Sequence, residues 1–239
     1  MTEPLFRQDA YLQHCEARVL DATAETVVLD RTVFYPLGGG QPGDRGMLVL
    51  ADGRQLAIGD TRYGDAGVIV HHLVEPVDAL LTGETVTARI DWQRRYAHMR
   101  YHTCLHLLCA VVTAPVTGGR ISHDKAHLDF DIDMVALDAA TIETRLNALV
   151  VADAAVEPGE ITDAELDADP ELVRTLSVQP PRGQGVVRTI RIADIDLQPC
   201  GGTHLRRTSE VGRVRVARIR SEGKRNKRVT LVLEAPAAS

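Results

Sequence analysis

Two short segments, roughly a hundred residues apart, carry metal-binding side chains with the same spacing. The first is an H-x3-H pattern at His102 and His106, and the second is a C-x3-H pattern at Cys200 and His204. Residues four apart on a helix lie on the same face, so the two histidines of the first segment can ligate one ion. Zn²⁺ accepts imidazole nitrogen and thiolate sulfur together in a tetrahedron. The patterns indicate a metal site, with a pair of buried structural histidines as the alternative.

The residues inside the two segments bear on which metal-dependent reaction is possible. Position 103 is Thr, where the H-E-x-x-H metalloprotease pattern needs a glutamate as general base, so a peptidase of that type is disfavoured. Gly201 and Gly202 lie between Cys200 and His204. Because glycine has no side chain, these two positions allow the backbone to come close to a metal or a ligand, and we predict that they contact substrate.

Length and composition are those of a globular protein. The chain has 239 residues, enough for one large or two modest domains, with 44% hydrophobic and 25% charged residues. The first residues do not form a signal peptide, and no apolar run approaches the ~18 residues of a membrane span. The four cysteines lack the spacing of a disulfide framework. We therefore predict a cytoplasmic protein with free thiols, no membrane segment and Cys200 as the engaged cysteine.

Charge is distributed unevenly along the chain. The formal net charge is −6, yet residues 206–228 hold ten basic and two acidic residues, a net charge of +8, which leaves −14 for the remainder. Such asymmetry suggests an anion-binding face. A solvated basic hairpin is the alternative reading of the same composition.

Short strands separated by turns are predicted over the first part of the chain, and this pattern is typical of a small barrel or sandwich. We place a domain boundary after residue 92, which gives a β-barrel-like domain at 1–92. The strands are expected at Ala17–Leu20, Thr26–Leu29, Met47–Leu50, Gln55–Ile58, Val68–Leu73 and Thr85–Ile90.

Helices and antiparallel strands mix without a βαβ rhythm over 93–239, so the second domain, and the fold class overall, is α+β. A helix is expected over 94–113 and a second one from Asp138, broken at Glu157-Pro158-Gly159. Strands are expected at Ala126–Ile132 and Val186–Ile192, a turn at Thr117-Gly118-Gly119, and a closing hairpin at Val211–Ile219 and Arg228–Leu233.

A glycine-rich segment, Phe34–Gly46, interrupts the predicted strands of the first domain. It holds five glycines and two prolines, which indicates a loop. It lacks the G-K-[ST] ending of a phosphate-binding loop and no helix follows, so we predict no nucleotide cofactor. The functional interpretation is a backbone surface that approaches another chain or a ligand closely.

Three motifs in one order resemble the AlaX family of alanyl-tRNA editing proteins and the editing domain of alanyl-tRNA synthetase. They are His102-Thr103-Cys104-Leu105-His106-Leu107-Leu108, the C-G-G-T-H stretch from Cys200 to His204, and the glycine-rich segment Phe34–Gly46. The likeness extends over residues 5–235. It resembles the medium-length, free-standing branch, which implies editing in trans.

The resemblance implies a hydrolase that cleaves the aminoacyl ester of mischarged tRNA-Ala, chiefly seryl and sometimes glycyl. The implied fold is a barrel-like domain followed by a two-layer α+β zinc-binding core. His102, His106, Cys200 and His204 would bind one Zn²⁺ per chain. Mischarged tRNA-Ala is the implied partner, contacted by Gly38, Gly39, Gly40, Gln41, Asp44, Gly201, Gly202, Arg218, Arg220, Lys224 and Arg225.

Several points stay open at the level of sequence. Thr117, in the segment after the metal helix, is a candidate contact for a serine hydroxyl, but the family's polar residue there does not align securely. The metal could activate a water or hold the aminoacyl group while another water attacks, and no general base is identified. A tRNA-binding module with structural zinc and a metal-dependent hydrolase of small esters are the competing functions. The oligomeric state is not predicted.

Overall fold

The computed structural model describes residues 2–77, 82–175 and 185–234. By its internal contacts the chain divides into two compact units, Met1–Ala97 and His98–Ser239. The division falls within the first helix, α1 (Trp92–Val111), a few residues after the boundary expected at residue 92. That domain boundary stays a prediction, because compactness does not test whether either part folds alone.

The first unit is built around a closed barrel of six antiparallel strands. Its strands, among the described residues, are β1 Glu3–Pro4, β2 His14–Ala22, β3 Thr26–Leu29, β4 Arg31–Thr32, β5 Gly46–Leu50, β6 Gln55–Tyr63, β7 Ile69–Leu73 and β8 Thr85–Ile90. The order around the barrel is β2-β3-β7-β6-β5-β8, while β1 and β4 pair separately. The predicted barrel and all six predicted strands are confirmed.

Period-two alternation explains why these segments form strands around one interior. In β8 every second residue is buried, so Val86, Ala88 and Ile90 face inward. They pack with aliphatic residues of the other strands, among them Val27 and Leu48, into one core cluster. A chain with only 4% aromatic residues fills its barrel in this way with branched aliphatic side chains.

The glycine-rich segment forms an ordered turn at the barrel. Gly38 and Gln41 exchange two backbone hydrogen bonds, of 3.1 and 2.9 Å, around Gly39 and Gly40. Both central residues have positive φ, 56° and 80°, the combination that favours glycine in a type I′ turn. A Cβ on Gly43 would lie 2.1 Å from the carbonyl oxygen of Thr61, so this glycine permits close packing against β6.

A buried ion pair fixes the end of the same segment. Asp44 Oδ2 accepts hydrogen bonds from the Tyr35 amide (2.7 Å) and from Nε of Arg95 (2.9 Å), and it also contacts Nη2 of Arg95. Arg95 further donates to the carbonyls of Ala10 (3.0 Å) and Val33 (2.6 Å). With both side chains almost inaccessible, Asp44 stabilises the loop geometry of the first unit.

The second unit, among its described residues, combines helices with two antiparallel sheets. Its elements are α2 Ala139–Val151, α3 Asp163–Ala168, β9 Val116–Ile121, β10 Ala126–Phe130, β11 Val156–Thr162, β12 Val186–Ile192, β13 Asp196–Pro199, β14 Val214–Gly223 and β15 Asn226–Leu233. One sheet has the order β14-β15-β10-β9 and the other β11-β12-β13. Helix α2 packs on β14, and the side chain of Asp138 caps α2 by accepting a hydrogen bond from the Thr141 amide at 2.8 Å.

Short 3-10 helices complete the described structure, at Leu5–Arg7, Asp65–Gly67, Met134–Ala136, Pro170–Leu172 and Thr208–Val211. The described residues combine helices with antiparallel sheets, so the protein is of mixed α and β content, as the sequence predicted. No helix in the described part of the chain combines the length and the apolar character that crossing a membrane requires.

Two local predictions were wrong. The turn expected at Thr117-Gly118-Gly119 lies inside β9, where a Cβ on Gly119 would approach the Leu128 side chain to 2.5 Å, so the glycine makes room for a neighbour in the sheet. Glu157-Pro158-Gly159 lies in β11. This strand is at the edge of its sheet, a position that tolerates proline because no further strand needs its amide.

Candidate metal centre

His102, His106, Cys200 and His204 converge on one point in the second unit. One ligand atom from each of the four side chains lies within 4.8 Å of every other. The Sγ atom of Cys200 is 3.5 Å from Nε2 of His102 and 3.2 Å from Nε2 of His204. The two segments singled out in the sequence thus form a single cluster.

Two of the donor–donor distances in the cluster are close to those around a four-coordinate metal ion. Metal–nitrogen bonds of about 2.0–2.1 Å and metal–sulfur bonds of about 2.3 Å place tetrahedral ligand atoms roughly 3.3–3.6 Å apart. The two sulfur–nitrogen distances are 3.5 and 3.2 Å, close to this range. A donor set of three nitrogens and one sulfur favours zinc over magnesium and calcium, because those two ions bind oxygen ligands.

Helix α1 supplies half of the cluster. Every residue from His98 to Cys109 is buried, so the helix is covered on all sides over this stretch. His102 and His106 are one turn apart, with 7% and 6% of their surfaces exposed. The i,i+4 spacing therefore places both rings on the same side of the helix.

The turn after β13 supplies the other half. Nη1 of Arg188, on β12, donates to the carbonyl oxygens of Cys200 (2.6 Å) and Gly202 (3.0 Å). The backbone amide of Gly202 donates to Sγ of Cys200 at 3.4 Å. Arg188 and the glycine amide together hold the thiol toward the three histidines.

Hydrogen bonds from outside the cluster orient two of the rings. Nδ1 of His106 is 3.1 Å from Oδ2 of Asp196, which also accepts a bond from the Gln198 amide group at 2.8 Å. Nδ1 of His204 is 3.2 Å from the hydroxyl of Thr103. Engaging Nδ1 leaves Nε2 to face the cluster, as is usual for metal-ligating histidines.

The electrostatics of the cluster favour a thiolate. Burial by itself raises the pKa of the Cys200 thiol, but its electrostatic interactions with the neighbouring histidines, His102 first, outweigh burial and hold that pKa well below its usual value. Burial also lowers the pKa of His204, to about 3. For His106 burial lowers the pKa, and the bond to Asp196 reverses the effect and raises it to about 9.

One side of the cluster is open to solvent. Gly201 is exposed and Cys200 is partly exposed, whereas the three histidines are buried. A Cβ built on Gly201 would meet no atom within 4 Å. The C-x3-H turn thus leaves open space at Gly201, where the sequence predicted that the backbone comes close to a metal or a ligand.

The other predicted site residues are not among the four donors of the cluster. Gly38, Gly39, Gly40, Gln41 and Asp44 belong to the first unit, and their predicted contact with substrate stays a prediction. Thr117 lies in β9, and its hydroxyl donates to the carbonyl oxygen of Asp129 at 3.2 Å. Its contact with a serine hydroxyl stays a prediction.

The basic segment forms the predicted hairpin of β14 and β15, with Gly223 paired to Asn226 at its end. Arg220 contacts Glu222, and Arg225 contacts Asp131, so two of the four cations predicted to bind tRNA already have carboxylate partners. Arg218 and Lys224 are exposed.

Sequence reasoning missed Asp196, Thr103 and Arg188. Asp196 lies ninety residues from His106 and follows no motif, so only the fold shows that the two meet. The sequence assigns Thr103 no contact with a ligand residue, whereas its hydroxyl lies next to Nδ1 of His204 and accepts a hydrogen bond from the Leu205 amide at 3.2 Å. Its place between the two metal-binding histidines was the available signal.

Family models place both parts of the chain among synthetase-related proteins. Residues 8–94 match the family described as tRNA synthetases class II (A), and residues 187–230 match the threonyl and alanyl tRNA synthetase second additional domain. The second match includes Cys200 and His204. The barrel and the segment that carries Cys200 and His204 therefore lie in the two regions that are similar to synthetase domains.

Similarity over the whole length narrows the class to one family. The chain is 34% identical to the alanyl-tRNA editing protein AlaX-M of Methanosarcina acetivorans, over 98% of this chain and 99% of that protein. It is 33% identical to AlaX-L of Pyrococcus horikoshii and 32% identical to the alanine–tRNA ligase of Metallosphaera sedula, covering 56% and 24% of those proteins. The chain belongs to the AlaX family of alanyl-tRNA editing proteins.

Proposed function

We propose that the protein is a trans-editing deacylase that hydrolyses the aminoacyl ester of mischarged tRNA-Ala, with seryl as the main and glycyl as the second substrate. The observation that carries the proposal is the convergence of three imidazoles and one thiol beside the exposed Gly201. The names of its full-length relatives, alanyl-tRNA editing proteins, support the same activity.

Zinc is the proposed metal, one ion per chain, held by His102, His106, Cys200 and His204 in a two-layer α+β editing core. The spacing of the donors and the lowered pKa of the Cys200 thiol both support this choice. When bound, Zn²⁺ supplies Lewis-acid chemistry toward an ester or a water molecule.

The protein's own residues position the reacting groups. Asp196 and Thr103 hold the rings of His106 and His204 through Nδ1. Arg188 fixes the backbone of the C-x3-H turn, and the open space at Gly201 admits the aminoacyl end of the tRNA. These contacts pre-organise the site before substrate binds, which lowers the cost of bringing the ester into place.

Physical limits on selectivity explain why a second enzyme would be needed. A synthetase pocket for alanine cannot exclude glycine by size, and it rejects serine poorly because one small group changes selectivity by only ~1–3 kcal/mol. A separate site that hydrogen-bonds the serine hydroxyl leaves polar groups unpaired when alanine binds, so discrimination of ~10⁴-fold becomes possible. Thr117 remains the candidate for that contact.

One specific observation favours a second candidate, a tRNA-binding module with structural zinc. All four donors come from the protein, and a complete set of protein ligands is typical of structural zinc sites. In that case the protein would bind tRNA-Ala and need zinc to fold, but would not cleave the ester.

A deacylation assay separates the two. Ser-, Gly- and Ala-tRNA-Ala are incubated with the zinc-loaded protein, and the release of amino acid is followed beside a free seryl ester. We expect rapid release of serine, slower release of glycine and little release of alanine. Release from none of the three tRNAs by folded, zinc-loaded protein would favour the structural-zinc module, and equal cleavage of the free ester would favour a small-ester hydrolase.

The glycine turn of the first unit is tested in the same assay. We propose that Gly39 and Gly40 take part in substrate binding, so the double variant Gly39→Val, Gly40→Val should lose deacylation while keeping zinc. Positive φ at both positions also costs the variant some stability, and melting temperature is measured alongside. Wild-type rates in the folded variant would confine these glycines to a structural role.

A further inference from the structure

A groove of about 350 Å³ lies on the four-stranded sheet of the second unit. The strand register aligns Arg120 with His127, His127 with Thr230, and Thr230 with Arg218, so one row of side chains crosses all four strands. All four line the groove. The alternate residues Val229 and Leu231 are buried on the opposite face, which therefore belongs to the core.

The groove is strongly basic and only partly neutralised. Five cationic side chains line it, of which Arg228 forms a two-point ion pair with Asp129 (2.7 and 2.8 Å) and Arg220 contacts Glu222. The other three, Arg120, Lys125 and Arg218, have no carboxylate partner among the residues that the structure describes.

The positive field of the groove affects a neutral neighbour. Burial, and next the charge of Arg228, lower the pKa of His127, with Arg120 and Arg220 acting in the same direction. A neutral imidazole and the Thr230 hydroxyl add hydrogen-bonding groups beside the cations. Arginine pairs with phosphate through two parallel bonds, and hydroxyl side chains also contact phosphate and ribose.

The shape of the row favours an extended ligand. Neighbouring strands are about 4.8 Å apart, so the row from β9 to β14 is about 14 Å wide. Cations spread over this width can each face a different phosphate of one continuous backbone, whereas a free phosphate ion occupies only part of it. Because the rest of the chain is acidic, this face is where a polyanion is attracted.

We propose that this sheet face, with Arg120, Lys125 and Arg218 as its principal cations, binds the sugar–phosphate backbone of tRNA. The inference rests on the proposed function for the identity of the RNA. It moves the predicted contact away from the tip of the hairpin, where Arg225 is occupied by Asp131, toward a face that includes two cations outside residues 206–228.

The test is equilibrium binding of uncharged tRNA-Ala to the zinc-loaded full chain at several salt concentrations. Arg120→Ala, Lys125→Ala should weaken binding about tenfold or more near 0.1 M salt and make the slope of log K against log salt shallower by about 1.4–1.8, because two phosphate contacts are lost. The matched control is Arg54→Ala, Arg191→Ala, which removes the same charge from two exposed arginines elsewhere. Its slope should stay near that of the wild type.

Two further measurements keep the outcomes separate. The exchange Arg120→Lys, Lys125→Arg retains the charges and should retain affinity, which distinguishes a lost contact from a damaged sheet. Millimolar inorganic phosphate should fail to displace tRNA; displacement at matched ionic strength would identify a free-anion site and overturn the proposal. So would equal affinities for the alanine variant and its control. Since binding of uncharged tRNA needs no catalysis, a failure of deacylation leaves this result unaffected.

Discussion

The two units each bury a polar cluster, and the clusters differ in what they lack. In the first unit Asp44 meets Arg95, and each guanidinium nitrogen donates to an oxygen of the protein. In the second, four side chains turn nitrogen and sulfur atoms toward one another, with ligand atoms within 4.8 Å. Asp44 and Arg95 carry opposite charges and neutralise each other, although Oδ1 of Asp44 has no hydrogen-bond partner. The second cluster consists of electron-pair donors, which a cation can bind together. The first cluster is therefore interpreted as a structural ion pair and the second as a candidate cation-binding site.

The largest effect is expected from breaking the donor cluster. His102→Ala, His106→Ala removes two of four ligands, so zinc content and deacylation should both fall to background. Zinc is measured by metal analysis of purified protein and activity on Ser-tRNA-Ala. The control His14→Ala, His123→Ala removes two exposed histidines and should keep both. A full equivalent of zinc in the first variant would refute the ligand assignment.

Breaking the ion pair of the barrel should cost stability and leave the metal in place. Removing Asp44 leaves the charge of Arg95 buried without an acidic partner, so Asp44→Ala should lower the free energy of unfolding by about 3–5 kcal/mol. Urea unfolding and zinc content are measured together, with Asp44→Asn as a milder variant if the alanine form does not fold. Removal of the exposed Asp52, which pairs with Arg54, should leave the melting temperature unchanged. Loss of zinc without loss of stability would reverse the roles assigned to the two clusters.

Acid should weaken the barrel through a histidine that is buried without charge. His71 bonds to Thr32 Oγ1 (2.8 Å) and to the Val27 carbonyl oxygen (3.0 Å), and burial lowers its pKa from 6.5 to about 4. Below pH 6.5 the His71 ring is therefore protonated in the unfolded chain but stays neutral in the folded barrel until about pH 4. The free energy of unfolding consequently falls as the pH is lowered from 6.5 to 4. The full loss is about 3 kcal/mol.

The difference between wild type and His71→Gln isolates this contribution from other titrating groups. Urea unfolding at pH 7.5, 5.5 and 4.5 should show the wild type losing more stability than the variant at each step. A parallel pH dependence in both proteins would exclude His71 as the source.

A smaller effect is expected from loosening one ligand. Asp196→Asn keeps the shape of the side chain but removes the charge that holds Nδ1 of His106, and such changes typically weaken metal binding 10–100-fold. Zinc affinity is measured by competition with a chelator, and the melting temperature of the metal-free protein serves to detect a merely structural effect. Asp194→Asn, at an exposed neighbouring position, is the control. Unchanged affinity would show that Asp196 does not position the ligand.

Local patterns in the sequence predicted many of the strands and helices and the four residues of the candidate metal centre. The six barrel strands follow from short strand-like segments between turn signals, and α2 from its Asp138 cap. The four candidate metal ligands follow from i,i+4 spacing together with residue chemistry, because backbone geometry sets which side chains share a face whatever surrounds them. Local reasoning failed at Gly119 and Pro158, where a neighbouring strand decides whether the segment is extended.

The sequence by itself thus determined the structural elements of the protein: a barrel, a buried helix carrying two histidines, a C-x3-H turn and a basic hairpin. It also determined the family to which the chain belongs. Only the tertiary structure decided which distant residues meet. Asp196 reaches His106, and Arg120 aligns with Arg218 across four strands, because sheet register and helix packing join segments with no common local pattern. Spacing along the chain controls geometry over a few residues, and the choice of partner beyond that range depends on packing of the whole unit.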